Sequence, residues 1–148
     1  MSKINVLIFG ATGYIGVQLT KILIHHKKVN IKYLCGSSSI GKKISSFDRS
    51  LNKYKLPKIV KFNKSFLSNV DVVFTALPNG ESQKISKLLL KKNILIDLSA
   101  DFRLKKKNDF FKWYKIKHKA KNMINKSIYA LPEIKGNEIK NKKIISCP

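Results

Sequence analysis

Short apolar runs alternate along the chain with stretches in which apolar residues return every third or fourth position. Ile4-Asn5-Val6-Leu7-Ile8-Phe9 is a compact run that predicts a strand. Over residues 13–28, Ile15, Leu19, Ile22 and Leu23 recur at helical spacing. His25, His26, Lys27 and Lys28 close that helix, where positive charge suits its carbonyl end. Residues 31–35 predict a second strand, 58–62 a weaker third, and Asp71-Val72-Val73-Phe74-Thr75-Ala76 a strong fourth. A helix over 81–92 carries Ile85, Leu88 and Leu89 on one face, and a strand follows over 94–98. Phe110, Phe111, Trp113 and Tyr114 read as the core face of a short helix. Residues 127–131 and 143–147 complete the strands, with a short helix around 133–140 between them. Strands alternating with helices through short loops predict an α/β fold, a mainly parallel sheet with helices on both faces. Such sheets bind ligands at the carboxyl ends of their strands.

Length and composition narrow this further. At 148 residues and 43% hydrophobic, with 7 Gly and 4 Pro, the chain has the size and core of one domain, 1–148. Disordered, collagen-like and disulfide-scaffold classes are excluded. No apolar run approaches the roughly 18 residues of a membrane span. The run behind Lys3 is short and lacks a cleavage site, so no signal peptide is expected. Cys35 and Cys147 lie far apart without metal or redox spacing, which favours a reduced, cytoplasmic protein with no metal. The net charge of +23 would ordinarily suggest nucleic acid or an anionic membrane. Here Arg49 and Arg103 are the only arginines, and the lysines are scattered through every segment beside abundant Ile and Asn. A coding bias with solvated lysine faces accounts for that, and neither nucleic acid nor membrane is expected as a partner. The densest basic runs, Lys105-Lys106-Lys107 and 112–121, contain Trp113 and Tyr114, so stacking on bases is the competing reading.

The sharpest motif joins the first strand to the first helix: Gly10-Ala11-Thr12-Gly13-Tyr14-Ile15-Gly16. Glycines so spaced allow a tight turn, backbone approach to a pyrophosphate, and a helix start packed against the sheet. The arrangement is Rossmann-like and predicts a dinucleotide held by Gly10, Thr12, Gly13, Tyr14, Ile15 and Gly16. An acidic residue after the second strand would accept the ribose hydroxyls of NAD. The chain has Gly36-Ser37-Ser38-Ser39-Ile40-Gly41-Lys42-Lys43 instead, so Ser37, Ser38 and Lys42 favour the 2′-phosphate of NADP(H). Two further strand-end loops, Ala76-Leu77-Pro78-Asn79-Gly80 and Ser99-Ala100-Asp101-Phe102-Arg103, fall at the same edge. Asp101 and Arg103 either form a structural ion pair or meet an anionic ligand. An arginine retained in so lysine-rich a chain points to planar, bidentate recognition of phosphate or carboxylate.

Together with Asp97-Leu98-Ser99-Ala100-Asp101-Phe102-Arg103-Leu104, Lys112-Trp113-Tyr114 and Tyr129-Ala130-Leu131-Pro132-Glu133, these motifs occur in one order. They resemble the N-terminal half of the N-acetyl-gamma-glutamyl-phosphate reductases, over essentially the whole chain. Asn79 and Ala130 depart from that family, which often has histidine and glycine there. The resemblance implies NADPH-dependent reduction of an acyl phosphate in arginine biosynthesis, through a thiolate that forms a thioester. It adds Leu77, Pro78 and Gly80 to the cofactor residues and Ser99, Asp101 and Arg103 to the substrate end. It also implies a homo-oligomer at full length. The family's nucleophilic cysteine follows a Pro-Gly pair, so the expected residue lies just past Pro148, the sheet is expected to be incomplete at its C-terminal end, and no catalytic residue falls within the chain. Cys147 reads as a buried strand-end cysteine and His118 as structural. The chain alone is therefore expected to be inactive. The alternatives are a stand-alone NADP-binding regulatory module, an aspartate-semialdehyde dehydrogenase-like reductase, and a nucleic-acid-binding protein.

Overall fold

The computed structural model describes residues 2–148. The chain divides into two compact units, Met1–Ala76 and Leu77–Pro148.

In the first unit, strands β1 (Ile4–Phe9), β2 (Val29–Cys35), β3 (Ile59–Val60) and β4 (Val72–Thr75) pair in the order β3-β2-β1-β4. Every pairing is parallel. The central strand β1 buries Val6, Leu7, Ile8 and Phe9 in succession, because a parallel strand covered on both faces has no polar side to alternate with. Opposite the Val6–Leu7 step, β2 carries one extra residue, Lys32, and the register shifts there. Helix α1 (Tyr14–Leu23) follows β1. Its buried stripe is Gly16, Val17, Thr20 and Leu23. Ile15 and Ile22, expected on the core face, are exposed. The cause is steric. A Cβ at Gly16 would lie 2.1 Å from the Gly10 carbonyl oxygen, so the helix must turn that residue to the sheet, whatever its neighbours are. The helix also stops at Leu23 rather than Lys28. His25 and His26 donate their N–H groups to the carbonyls of Ile22 and Leu23, which makes them part of the closing turn. Three 3-10 turns, Ile44–Ser46, Arg49–Lys53 and Lys64–Asn69, were not foreshadowed by the apolar spacing.

In the second unit, β5 (Ile94–Asp97), β6 (Ser127–Tyr129) and β7 (Ile144–Ser146) pair in parallel in the order β5-β7-β6. The last strand in the chain is thus the middle one. Helix α2 (Glu81–Ser86) is shorter than the expected 81–92. Its buried positions are Ser82, Gln83, Ile85 and Ser86. The segment after it closes in a turn, where Asn93 accepts from the Leu90 N–H and Lys143 reaches the Leu90 and Lys91 carbonyls. Of the aromatic face expected in α3 (Lys107–Tyr114), only Phe110 is buried, and Trp113 is 71% exposed. Phe110 packs against Tyr114 and edge-on to His118, at centroid distances of 4.9 and 5.1 Å. Helix α4 (Lys121–Ile124) adds Ile124 to the core, whereas α5 (Pro132–Ile139) buries nothing. Each unit is α/β with parallel strand pairing, as the alternation of strands and helices predicts. No helix among the described residues is long and apolar enough to cross a membrane.

Candidate functional site

The first unit places a tight backbone turn at the carboxyl end of β1. Gly10 adopts φ 70°, a left-handed conformation that suits glycine, and its carbonyl accepts the Gly13 N–H at 3.0 Å. The Ala11 N–H donates to the Cys35 carbonyl at 3.2 Å, tying the turn to the end of β2. Gly13 is the N-cap of α1, where no side chain caps the helix and no acid occupies its first turn. The first N–H groups of a helix have no partner within it, and they carry its partial positive charge. Here they begin among exposed Gly13, Tyr14 and Ile15, so an anion has open access to them.

Thr12 brings this turn to the next loop, since a Cβ at Gly36 would touch its methyl group at 3.7 Å. Ser37, Ser38 and Lys42 are exposed on that loop. The loop is itself fixed: Gly41 (φ 84°) donates to the Ile59 carbonyl at 2.8 Å, and Ile59 donates to the Lys42 carbonyl at 2.9 Å. The carboxylates of this unit are committed elsewhere. Asp48 accepts from Lys21 Nζ at 2.8 Å and from the Ser50 N–H at 2.9 Å, and the Lys21 bond holds its carboxyl down to about 2. Asp71 accepts from the Asn5 N–H at 2.8 Å. Cys35 is buried, which pushes its thiol up to about 12.

The second unit gathers its candidate residues by a different logic. Asp101 is wholly buried. Its Oδ1 accepts from the Gly80 N–H at 2.6 Å and from Gln83 Nε2 at 3.2 Å, while Oδ2 accepts from the Gln83 N–H at 3.2 Å. Burial pushes this carboxyl up, against the lowering effect of those bonds. Ser99, also buried, donates its hydroxyl to Asp97 Oδ1 at 2.7 Å and meets Ser82 Oγ at 3.2 Å. Leu77 is half-buried and Pro78 exposed.

Asp101 and Arg103 do not pair. Arg103 Nε instead donates to the Cys147 carbonyl at 3.1 Å, and the Cys147 N–H donates to the Asp97 carbonyl at 2.9 Å. Cys147 is half-buried, and its thiol is raised chiefly by that burial and then by Asp97. His118 Nε2 lies 2.9 Å from the Asp101 carbonyl oxygen, and Nδ1 accepts from the Ala120 N–H at 3.3 Å. Burial lowers the His118 pKa, which suits a neutral, structural ring. Gln83 escaped the sequence reading, which took the buried face of α2 from its apolar positions alone and so had no signal for a buried amide. No group of three or more His, Cys, Asp or Glu side chains suited to a metal occurs among the described residues.

The family model for the semialdehyde dehydrogenase NAD-binding domain matches residues 5–142. The chain belongs to this family. The N-acetyl-gamma-glutamyl-phosphate reductase of Ehrlichia ruminantium (strain Gardel) is 40% identical over 148 residues, covering 99% of this chain and 42% of that protein. The enzyme of the same name from Brachyspira hyodysenteriae is 41% identical over 153 residues, covering 98% and 43%. The resemblance drawn from the motifs therefore extends along the whole chain, which spans under half the length of these relatives. Among solved structures, aspartate semialdehyde dehydrogenase II of Vibrio cholerae superposes with a TM-score of 0.65 at 19% identity, covering 99% of this chain and 38% of that one. The Candida albicans aspartate semialdehyde dehydrogenase, solved with NADP, gives 0.61 at 20%, covering 97% and 42%. Those likenesses establish the fold.

Proposed function

We propose that this chain is the cofactor-holding part of an NADPH-dependent N-acetyl-gamma-glutamyl-phosphate reductase. The observation that carries the cofactor is the uncapped, acid-free start of α1, pinned by Gly16 beside a loop of serines and lysine. A Cβ at Gly16 would strike the turn, so packing requires glycine there, whereas Gly13 is exposed and leaves room for a close-approaching pyrophosphate. The N–H groups of Tyr14, Ile15 and Gly16 would receive the phosphates, and Ser37, Ser38 and Lys42 the 2′-phosphate. Leu77, Pro78 and Gly80, which follow β4 directly in the chain, are assigned to the same cofactor. NADPH, when bound, supplies the hydride.

The substrate assignment rests on the reductase relatives at 40 and 41% identity, against the semialdehyde dehydrogenase structures at 19 and 20%. Arg103 would offer its guanidinium to the substrate phosphate, with Ser99 assigned to the same end. Neither thiol of the chain suits a nucleophile, since burial raises both and the thiolate is the reactive form. The homo-oligomeric and cytoplasmic expectations belong to the full-length reductase.

Calorimetric titration tests the cofactor. NADPH should bind at least several-fold more tightly than NADH, and equal or reversed affinity would overturn the choice of NADP. Gly13→Val should abolish binding of both, because a branched side chain fills the space that the phosphates need. Wild-type affinity in that variant would remove the glycine turn from the site.

A further inference from the structure

We propose that Asp101 is a positioning residue for the 77–80 turn, holding those proposed cofactor-binding residues in shape without touching either ligand. The inference rests on the dinucleotide assignment above, and it moves Asp101 out of the substrate-contacting set. Three observations support it. The side chain is wholly buried, so a substrate has no route to it. Its oxygens are already engaged by three N–H donors, the Gly80 and Gln83 backbone groups and Gln83 Nε2. Gly80 stands at φ 94° as the N-cap of α2, a left-handed conformation that its 2.6 Å bond to Asp101 holds.

Asp101 is in turn fixed from behind. Its N–H meets Ser99 Oγ at 3.3 Å, and its carbonyl oxygen faces His118 Nε2 at 2.9 Å. With Nδ1 of His118 accepting from Ala120, Nε2 is the ring nitrogen that carries the proton and donates to Asp101. Gln83, the other side chain on the carboxylate, accepts at Oε1 from the Lys119 N–H at 2.6 Å. The carboxylate thus anchors the left-handed turn to the Ser99–Asp101 loop and to the segment around His118. Asparagine at this position keeps the shape but has one acceptor oxygen in place of two, so the donors cannot all be served.

The test titrates the whole chain with two ligands, NADPH and adenosine 2′,5′-bisphosphate, which represents only the end assigned to Gly10–Gly16, Ser37, Ser38 and Lys42. In Asp101→Asn, NADPH affinity should fall about tenfold or more, the scale of losing a charged hydrogen bond. Bisphosphate affinity should stay within about twofold of wild type, a split that general destabilisation does not produce. An equal fall for both ligands, or no fall for NADPH, overturns the proposal. Should Asp101→Asn not fold, Gly80→Ala strains the turn directly and leaves the buried carboxylate in place. It must give the same selective loss, and unchanged NADPH binding in that variant also overturns the proposal. Failure of the unaltered chain to bind either ligand would instead sink the dinucleotide assignment itself, and this inference with it.

Discussion

Gly13 and Gly16 sit three residues apart in one turn and answer to different constraints. At Gly16 an added Cβ would lie 2.1 Å from the Gly10 oxygen and 2.7 Å from the Ala11 Cα, both of them backbone atoms that have nowhere to go. Gly16→Ala should therefore cost stability at or above the upper end of the roughly 1–3 kcal/mol typical of overpacking. At Gly13 the corresponding contact is 3.3 Å, the residue is exposed and its φ is −76°, so Gly13→Ala should lose under about 1 kcal/mol. Denaturant unfolding of the two variants separates them, and equal losses would deny Gly16 its wedge role. One glycine is required by packing and the other by the ligand.

Among the helices, α3 shows how far a run of aromatics departs from a core face. Phe110 is fully buried among Tyr114 and His118, whereas Trp113 is 71% exposed. Phe110→Ala should cost about 3–5 kcal/mol, and Trp113→Ala within about 0.5 kcal/mol. The Trp113 fluorescence should be that of a solvated indole and open to an aqueous quencher; a shielded indole would contradict its placement. The 3-10 turn Arg49–Lys53 offers a charge test. Asp48 caps it through Ser50 and also binds Lys21 Nζ at 2.8 Å. Asp48→Asn keeps the cap and removes the charge pair. The folded carboxyl sits at about 2, against about 3.9 in the unfolded chain, so its contribution is complete above about pH 4. That contribution is lost as pH falls through about 2. The melting temperatures of wild type and variant should differ above pH 4 and converge toward pH 2. A difference that persists at the acid end would deny the pairing.

For the whole molecule, charge is the dominant property. A net charge of +23 across 148 residues repels itself, and the described ion pairs, Lys21–Asp48, Lys84–Glu81 and Lys135–Glu138, offset little of it. Raising salt to about 0.5 M shortens the screening length below that of physiological buffer, so repulsion should weaken more than attraction. The melting temperature should rise with sodium chloride in the absence of ligand. A falling melting temperature would mean that specific ion pairs matter more than the overall charge. The two units also differ in their interiors. The first is almost wholly apolar around β1, while the second buries Ser82, Gln83, Asp97, Ser99 and Asp101 near its candidate loops. Polar groups buried at that cost are retained where their bonds define a geometry.

The sequence by itself determined the strands β1, β4 and β5, the glycine turn, the absence of an acid after β2, and the family. Each of these is written in contiguous residues: an apolar run, a glycine spacing, a short motif. Tertiary structure alone decided which stripe of α1 is buried, where α1 and α2 stop, and what Asp101 and Arg103 touch. Periodicity reveals that a helix has an apolar face, but steric contact at Gly16 selected a different one. The partners of Asp101 lie 18 and 21 residues away, and that of Arg103 lies 44 away. An aspartate and an arginine two positions apart, four and six residues past the end of β5, look like a pair in sequence. Once the chain folds, a buried helix start and a strand-end carbonyl claim them first, because unsatisfied buried N–H and C=O groups cost more than a partly solvated ion pair returns.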